Sequence, residues 1–329
     1  MNIRFENYND NYLNEIVQLW NNNASKDGIF KEWTKESITK KMLNSPLFEK
    51  DGFKLMFDDD KLIGMGDAVC NDARWGYINF IVIDKPYQRK GLGKMMLDVL
   101  EDYCKQKGEK KIRLYFGSPF NFEWYIPAED VKDDFKRHIH PGAPAIEQNS
   151  PYYFLLVNNG YTIEGAIDAF HANITNYELP EKVLLSKARN EKDGYTIEIY
   201  DEAKHHGFSE LFSALNNPGW YQAVKNNLAK EKPEPMLVVQ KEGRILGWTG
   251  PMHTDETGRA YFAGIGVHPE VQGRGLGKQL FSELAYYSKK NKATYMSLFT
   301  GADNLARNIY LYTGLKIVKA FFIMGKELK

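Results

Sequence analysis

The sequence predicts an α/β protein built from two tandem units, each a mixed β-sheet flanked by helices. Three observations carry that prediction: the length, an internal repeat, and the order of strand-like and helix-like segments inside each copy. A chain of 329 residues exceeds most single cores, which stop growing at about 250 to 300 residues. Slid against itself by 184 positions, Phe80 to Gly117 falls on Gly264 to Gly301 without a gap, with eleven of thirty-eight residues identical. The identities cluster: Gln88, Gly91, Leu92, Gly93 and Lys94 meet Gln272, Gly275, Leu276, Gly277 and Lys278. A repeat this long is a domain rather than a solenoid unit.

Each copy reads strand, Gly-rich turn, helix, strand. Ala260 to Val267 is short, apolar and β-rich, and Pro269, Gly273 and Gly275 then break regularity. Leu276, Leu280, Leu284 and Tyr287 recur at helical spacing, and Lys289, Lys290 and Lys292 gather where the helix dipole favours cations. Met296 to Phe299 is the next strand. The first copy matches with Tyr77 to Ile83 as strand, Gln88 to Gly93 as turn, Leu92 to Lys107 as helix and Ile112 to Phe116 as strand.

Ahead of these, Ile3 to Asn7 and Tyr195 to Tyr200 open the halves as strands, followed by helices over Tyr12 to Trp20 and Ala203 to Leu215. Second helices, Lys35 to Leu43 and Trp220 to Leu228, lead into hairpins closed at DDDK and KEGR. The expected boundaries are 1–180 for the first domain, 181–193 for a linker and 194–329 for the second domain. An insert, 118–149, occurs in the first domain alone, and Phe120, Phe122, Trp124, Tyr125 and Phe135 give it apolar anchors.

Composition narrows the function. Hydrophobic residues at 43% and charged residues at 26% fit an ordinary globular protein and exclude disorder. Lys+Arg and Asp+Glu both total 43, so no global field draws nucleic acid or an anionic membrane. No apolar run reaches the roughly 20 residues that span a bilayer, and the opening lacks a signal-peptide layout, so a cytoplasmic protein is expected. Cys70 and Cys104 sit in unrelated contexts and cannot build a disulfide framework. His138-x-His140 has metal-like spacing but no third ligand follows from the sequence, so no metal is expected.

The Gly-rich turn is the informative motif. Delivered by a strand onto a helix N-terminus, Gln272, Gly273, Arg274, Gly275, Leu276, Gly277 and Lys278 bring unpaired N–H groups and the helix dipole to bear on a phosphate. The first copy offers a second candidate site at Gln88, Arg89, Lys90, Gly91, Gly93 and Lys94. A nucleotide-triphosphate loop requires Ser or Thr where Gln279 and Met95 stand, and the dinucleotide fingerprint requires Gly where Lys278 and Met96 stand. Both readings fall.

The strand from Ile265, Gly266 and Val267 through His268-Pro269 to Gln272-Gly273-Arg274-Gly275-Leu276-Gly277 resembles the acetyl-CoA motif of the GCN5-related N-acetyltransferase (GNAT) family, and the resemblance covers nearly the whole chain as a tandem duplication. It implies acetyl-CoA as cosubstrate, pantetheine bonded to backbone at Ile265 to Val267, and direct attack by the amine of a small molecule or peptide. It also puts the general-acid tyrosine at Tyr310, four residues before Gly314, on a helix opened by Asp303 or by Asn304, the candidate pantetheine contact. In the first half the matching position is Leu156, with Tyr152 and Tyr153 about one turn earlier. The expectation is therefore that the second half catalyses, the first is degenerate, and the insert plugs its pocket, with a lining of the second half's acceptor site as the insert's alternative role. Binding of acyl-CoA without catalysis is the alternative.

Overall fold

The computed structural model describes residues 1–25, 28–70, 75–114, 119–127 and 138–329. Phe135, Ser118 and the end of the strand expected to reach Phe116 lie outside the described residues. The first half contains β1 (Ile3–Asn7), α1 (Leu13–Trp20), α2 (Lys35–Ile38), β2 (Phe53–Asp58), β3 (Lys61–Val69), β4 (Gly76–Ile83), α3 (Leu92–Gln106) and β5 (Lys111–Leu114). Short strands β6 (Trp124–Tyr125), β7 (Ile139–His140) and β8 (Ile146–Glu147) follow, then α4 (Pro151–Asn158) and the long β9 (Thr162–Asn173). Helix α5 (Glu181–Lys192) joins the halves.

The second half repeats the plan with β10 (Thr196–Ile199), α6 (Phe208–Ala214), α7 (Pro218–Leu228), β11 (Leu237–Lys241), β12 (Arg244–Thr249) and β13 (Met252–Thr254). After these come β14 (Arg259–Phe262), β15 (Ile265–Val267), α8 (Leu276–Lys290), β16 (Tyr295–Gly301), α9 (Arg307–Tyr312) and β17 (Lys316–Glu327). Both hairpin turns place a non-glycine residue in the left-handed region, Asp59 at φ 52° and Glu242 at φ 53°. Among the described residues no helix is long and apolar enough to cross a membrane.

The last strand of each half is exchanged. One sheet runs β1-β2-β3-β4-β5-β17-β9-β16-β14-β13. Strand β17 pairs antiparallel with β5, Met324 facing Leu114 and Glu327 facing Lys111, while β9 pairs with β16, Asn173 facing Tyr295 and Ile167 facing Gly301. The two exchanged strands also pair with each other. Met324 thereby enters the core beneath α3, and Phe170 enters the core around Leu280, Phe281 and Leu284. Across the exchange, Lys326 of β17 donates to both oxygens of Glu101 at 2.8 and 2.7 Å. Glu101 is 6% exposed, so removing Lys326 strands a buried carboxylate.

Some local expectations are corrected. Helix α6 starts at Phe208 rather than Ala203, because Gly207 takes φ 103° and Asp201 accepts from the backbone of Ala203, closing a turn first. The strand expected from Ala260 to Val267 divides into β14 and β15. A Cβ on Gly264 would meet Trp220 Nε1 at 2.4 Å, so the ring packs directly on the backbone at the break. Helix α9 begins at Arg307, with Ala306 rather than Asp303 or Asn304 at its N-cap, since Asn304 Oδ1 is used one step early on the Ala306 N–H. Cys70 and Cys104 meet: the Cys104 thiol is hydrogen-bonded to Cys70 and buried, and both effects hold it protonated.

The described residues of the insert tie the halves together, and Ala145, Ile146 and Glu147 wall a first-half cavity. Phe120 and Phe122 join the aromatic core of the first half, and Trp124 and Ile126 pack with Ile167, Tyr295 and Phe321. Tyr295 donates to the Ile139 carbonyl at 2.8 Å. Trp124 is 1% exposed, and its Nε1 donates to the Gly142 carbonyl at 3.2 Å. Trp124→Ala should therefore cost about 3 to 5 kcal/mol, read as a lowered midpoint in urea denaturation.

Candidate active site

The two Gly-rich turns share one construction. Gln88 Nε2 donates back to the Ile83 carbonyl at 2.9 Å, and Gln272 Nε2 to the Val267 carbonyl at 3.3 Å, so each glutamine fastens its turn to the preceding strand. Gly91 and Gly275 then take φ 81° and 79° as the N-caps of α3 and α8, a conformation costly for most side chains. Arg89, at φ 62°, occupies the position where the second copy has Gly273 at φ 81°.

Their surroundings differ. A Cβ on Gly91 would meet nothing within 4 Å, whereas one on Gly275 would lie 3.1 Å from Ser186 Oγ of α5. Arg189 of α5 donates to the Arg274 carbonyl at 3.0 Å, and Arg274 pairs with Asp193 at 3.0 Å. Lys278 sits 4.4 Å from the Tyr312 ring centre. Asn190 donates to Gln279 at 2.9 Å and Lys187 to Glu283 at 3.1 Å, fastening α5 along α8. The joining helix thus packs against the second turn at Gly275, and among the described residues no such neighbour stands at Gly91.

In the second half the sheet splays ahead of the turn: β14 pairs with β16 at Arg259 and Ala260, and β15 then pairs with β12. In the first half the described pairing of β4 with β5 is at Gly76 and Tyr77, and the turn follows β4. In the first half two cavities fill this region. One, of 390 Å³, lies between Gly91, Lys94 and Ile83 on one side and Leu155 and Asn158 of α4 on the other. The second, of 510 Å³, is walled by Trp20, Phe30, Asn79, Phe80, Glu147 and Phe321. Ile81, Ile83, Gln88, Pro151 and Tyr152 line both, so the two spaces meet at the start of α4. A volume of this size suits a small molecule.

Of the expected catalytic positions, Tyr152 lines both spaces, while Tyr310 and Leu156 are in the lining of neither. Tyr310 is 7% exposed and packs against Phe170 and Phe281 with ring centres 5.5 and 4.8 Å away. Burial pushes its phenol up to about 12. Tyr152 also has its phenol raised by burial, and its oxygen has no hydrogen-bond partner among the described residues. Leu156 is fully buried. His138 Nδ1 lies 2.7 Å from His171 Nε2 and its ring stacks on Tyr295. His140 is held by the Gly142 carbonyl, and burial together with Arg259 pushes it down to about 3.

One feature escaped the sequence reading. Asp67 on β3 has no exposed surface, accepts a hydrogen bond from Asn79 Nδ2 through Oδ2, and leaves Oδ1 without a partner among the described residues. Desolvation, partly offset by the Asn79 hydrogen bond and reinforced by Glu49, raises its carboxyl to about 7. The available signal was a lone charge inside the apolar run Leu62 to Val69.

Comparison with known proteins agrees with this architecture. The model of the acetyltransferase (GNAT) family matches residues 14–123 and 197–314, more than half of the chain. Among solved structures, the glucosamine N-acetyltransferase region of a fungal multi-domain GH3 β-N-acetylglucosaminidase superposes with TM-score 0.65 at 18% identity, over 98% of this chain and 38% of that one. A GCN5-related N-acetyltransferase from Sphaerobacter thermophilus gives 0.61 at 15% identity, covering 99% and 96%. A tandem GNAT protein of the clavulanic acid biosynthesis pathway gives 0.58 at 11% identity, covering 99% and 98%. No curated protein matches the chain in sequence. With the family matched in both halves, the chain belongs to the GCN5-related N-acetyltransferase (GNAT) family as a tandem member.

Proposed function

We propose that the protein transfers an acetyl group from acetyl-CoA to the amine of a small molecule, and that the first half carries the reaction. The observation behind this reading is the pair of cavities that meet beside the open Gln88–Lys94 turn. In it, the pyrophosphate of CoA takes the turn at Arg89, Lys90, Gly91 and Lys94, pantetheine follows β4 through the 390 Å³ space, and the acceptor occupies the 510 Å³ space. The amine attacks the thioester carbonyl, the C–S bond breaks, and CoA departs as a thiolate. A lysine-like ammonium of pKa about 10.4 must first lose a proton, at about 4 to 5 kcal/mol at neutral pH. Thiol release from acetyl-CoA on addition of a panel of small amines tests the activity. Release that never exceeds the amine-free rate would leave acyl-CoA binding without catalysis, a reading that Leu156 at the family's acid position favours.

The second-half assignment, with Tyr310 as acid and CoA on Ile265 to Lys278 and Asn304, makes an opposite prediction. If the first half catalyses, Tyr310→Phe removes a hydroxyl remote from the reacting atoms, and turnover should stay within about twofold. A hundredfold fall in kcat with acetyl-CoA affinity unchanged would return catalysis to the second half.

A further inference from the structure

Every residue of β3 from Leu62 to Val69 is buried, and Asp67 is the one charged residue among them. In the sheet it lies between Phe53 on β2 and Phe80 on β4. Its neighbours two places away, Met65 and Val69, belong to the cluster containing Trp20, Trp33, Phe53 and Phe80. A carboxylate in such surroundings, with one oxygen unpartnered among the described residues, is unfavourable to the fold. A neutral residue of the same shape would suit the packing better.

Its partner is set apart by the backbone. The β3–β4 register shifts at Asp67, which faces Phe80, while the next residue, Ala68, faces Ile78. Asn79 is the extra residue of this bulge, a device that re-aims a side chain, and it forms part of the wall of the 510 Å³ cavity. Asn79 also borders a space of about 50 Å³, which Asn121 lines as well, with room for a water molecule. Matched by strand register, the second copy has Gly250 at the position of Asp67 and Ala263 at that of Asn79. The acid–amide pair belongs to the first half alone.

We propose that Asp67, acting through Asn79, is the proton-accepting end of the acceptor site. This rests on the reading that the first half catalyses. The acceptor enters as an ammonium, an N–H bond breaks, and the proton passes by way of water beside Asn79 to the Asp67 carboxylate. The freed nitrogen lone pair attacks the thioester carbon. As the C–S bond breaks, the nitrogen gives its second proton to the departing thiolate, and Asp67 releases its own proton to solvent, ready for the next turnover. Asp67 is thus a positioning and proton-storing residue rather than one that touches substrate. A carboxyl that titrates close to the working pH is matched to that task. The charged group facing it is Glu49, ahead of β2, which accepts from the Cys70 N–H and lies 3.5 Å from Lys107. Strands β2 and β4 present Phe53 and Phe80, and α1 presents Trp20.

The test is the pH profile of kcat/KM for the acceptor in Asp67→Asn and Asn79→Ala, with acetyl-CoA affinity measured by calorimetry. The unsubstituted protein should rise with pH and level off above about 7. Asp67→Asn should be about a hundredfold slower at pH 7 and recover about tenfold per pH unit toward pH 9, because free amine then supplies its own lone pair. Acetyl-CoA affinity should not move. A second readout needs no turnover: a carboxyl raised to about 7 in the fold binds protons that the unfolded chain has already lost, so stability falls as pH rises from about 4 to about 7. Asp67→Asn should abolish that slope and melt higher at pH 8. A pH-independent loss of activity, or a profile like that of the unsubstituted protein, would overturn the proposal. Gly91→Asp separates the two readings. If it leaves turnover intact, the first-half assignment fails. If it abolishes turnover while Asp67→Asn keeps the original profile, the acid–amide proposal alone fails.

Discussion

Gly91→Asp should weaken acetyl-CoA binding at least about a hundredfold, equivalent to about 2.7 kcal/mol, and abolish turnover while leaving the fold intact. Three facts make the substitution selective. The left-handed conformation at φ 81° is one that Asp adopts more readily than most residues. A Cβ there meets nothing within 4 Å, so the side chain enters without displacing protein. A carboxylate at a helix N-terminus interacts favourably with the dipole, and for the same reason it occupies the position that the pyrophosphate requires. Gly275→Asp should behave differently, because its Cβ would press on Ser186 of α5 at 3.1 Å and the effect should appear first in stability. Calorimetric titration of acetyl-CoA into both variants, after circular dichroism has verified folding, decides the matter. Loss of binding in Gly275→Asp, with Gly91→Asp unaffected, would reverse the assignment of the halves.

Ending the chain at Leu315 should unfold both halves. Without β17, strands β5 and β9 each lose their shared neighbour, Met324 and Phe321 leave two separate cores, and Glu101 stays buried without Lys326. Loss of the two large side chains alone costs about 5 to 10 kcal/mol, comparable to the whole stability of a domain. Heating followed by circular dichroism should show no cooperative transition. A fragment of residues 1–180 should fail likewise, since β9 would expose Phe170 in place of packing it. A truncated chain that melts cooperatively and keeps the first-half spectrum would refute this.

How much of this was legible in the sequence follows from how local each feature is. The turns, α3 and α8 were readable because Gly91 and Gly275 and the leucine stripe act within a few residues. The roles of Gln88 and Gln272 were also local, each reaching back five residues, although the motif had presented them as ligand contacts. The destinations of β9 and β17 were not readable, because both are long strands of similar pattern and partner choice depends on distant chain. The docking of residues 181–193 against the second turn was not legible, because it depends on Arg189 and Asp193 reaching residues more than eighty positions away. Asp67 could be seen as a lone charge. What it faces depends on a bulge that no sequence pattern announced.

The exchanged strands also constrain the order in which the protein is made. The described part of β5 reaches Leu114, yet the neighbour it pairs with begins at Lys316, about two hundred residues later. A ribosome adding about 5 to 20 residues per second therefore leaves that sheet edge without its native partner for about 10 to 40 seconds. The first half cannot mature as it emerges, although it is synthesised first. Its closing step waits for residues 316–327, and contacts so distant in sequence form slowly. During biosynthesis the vulnerable species is thus a nearly complete first half with an open edge, the form that a chaperone would have to protect.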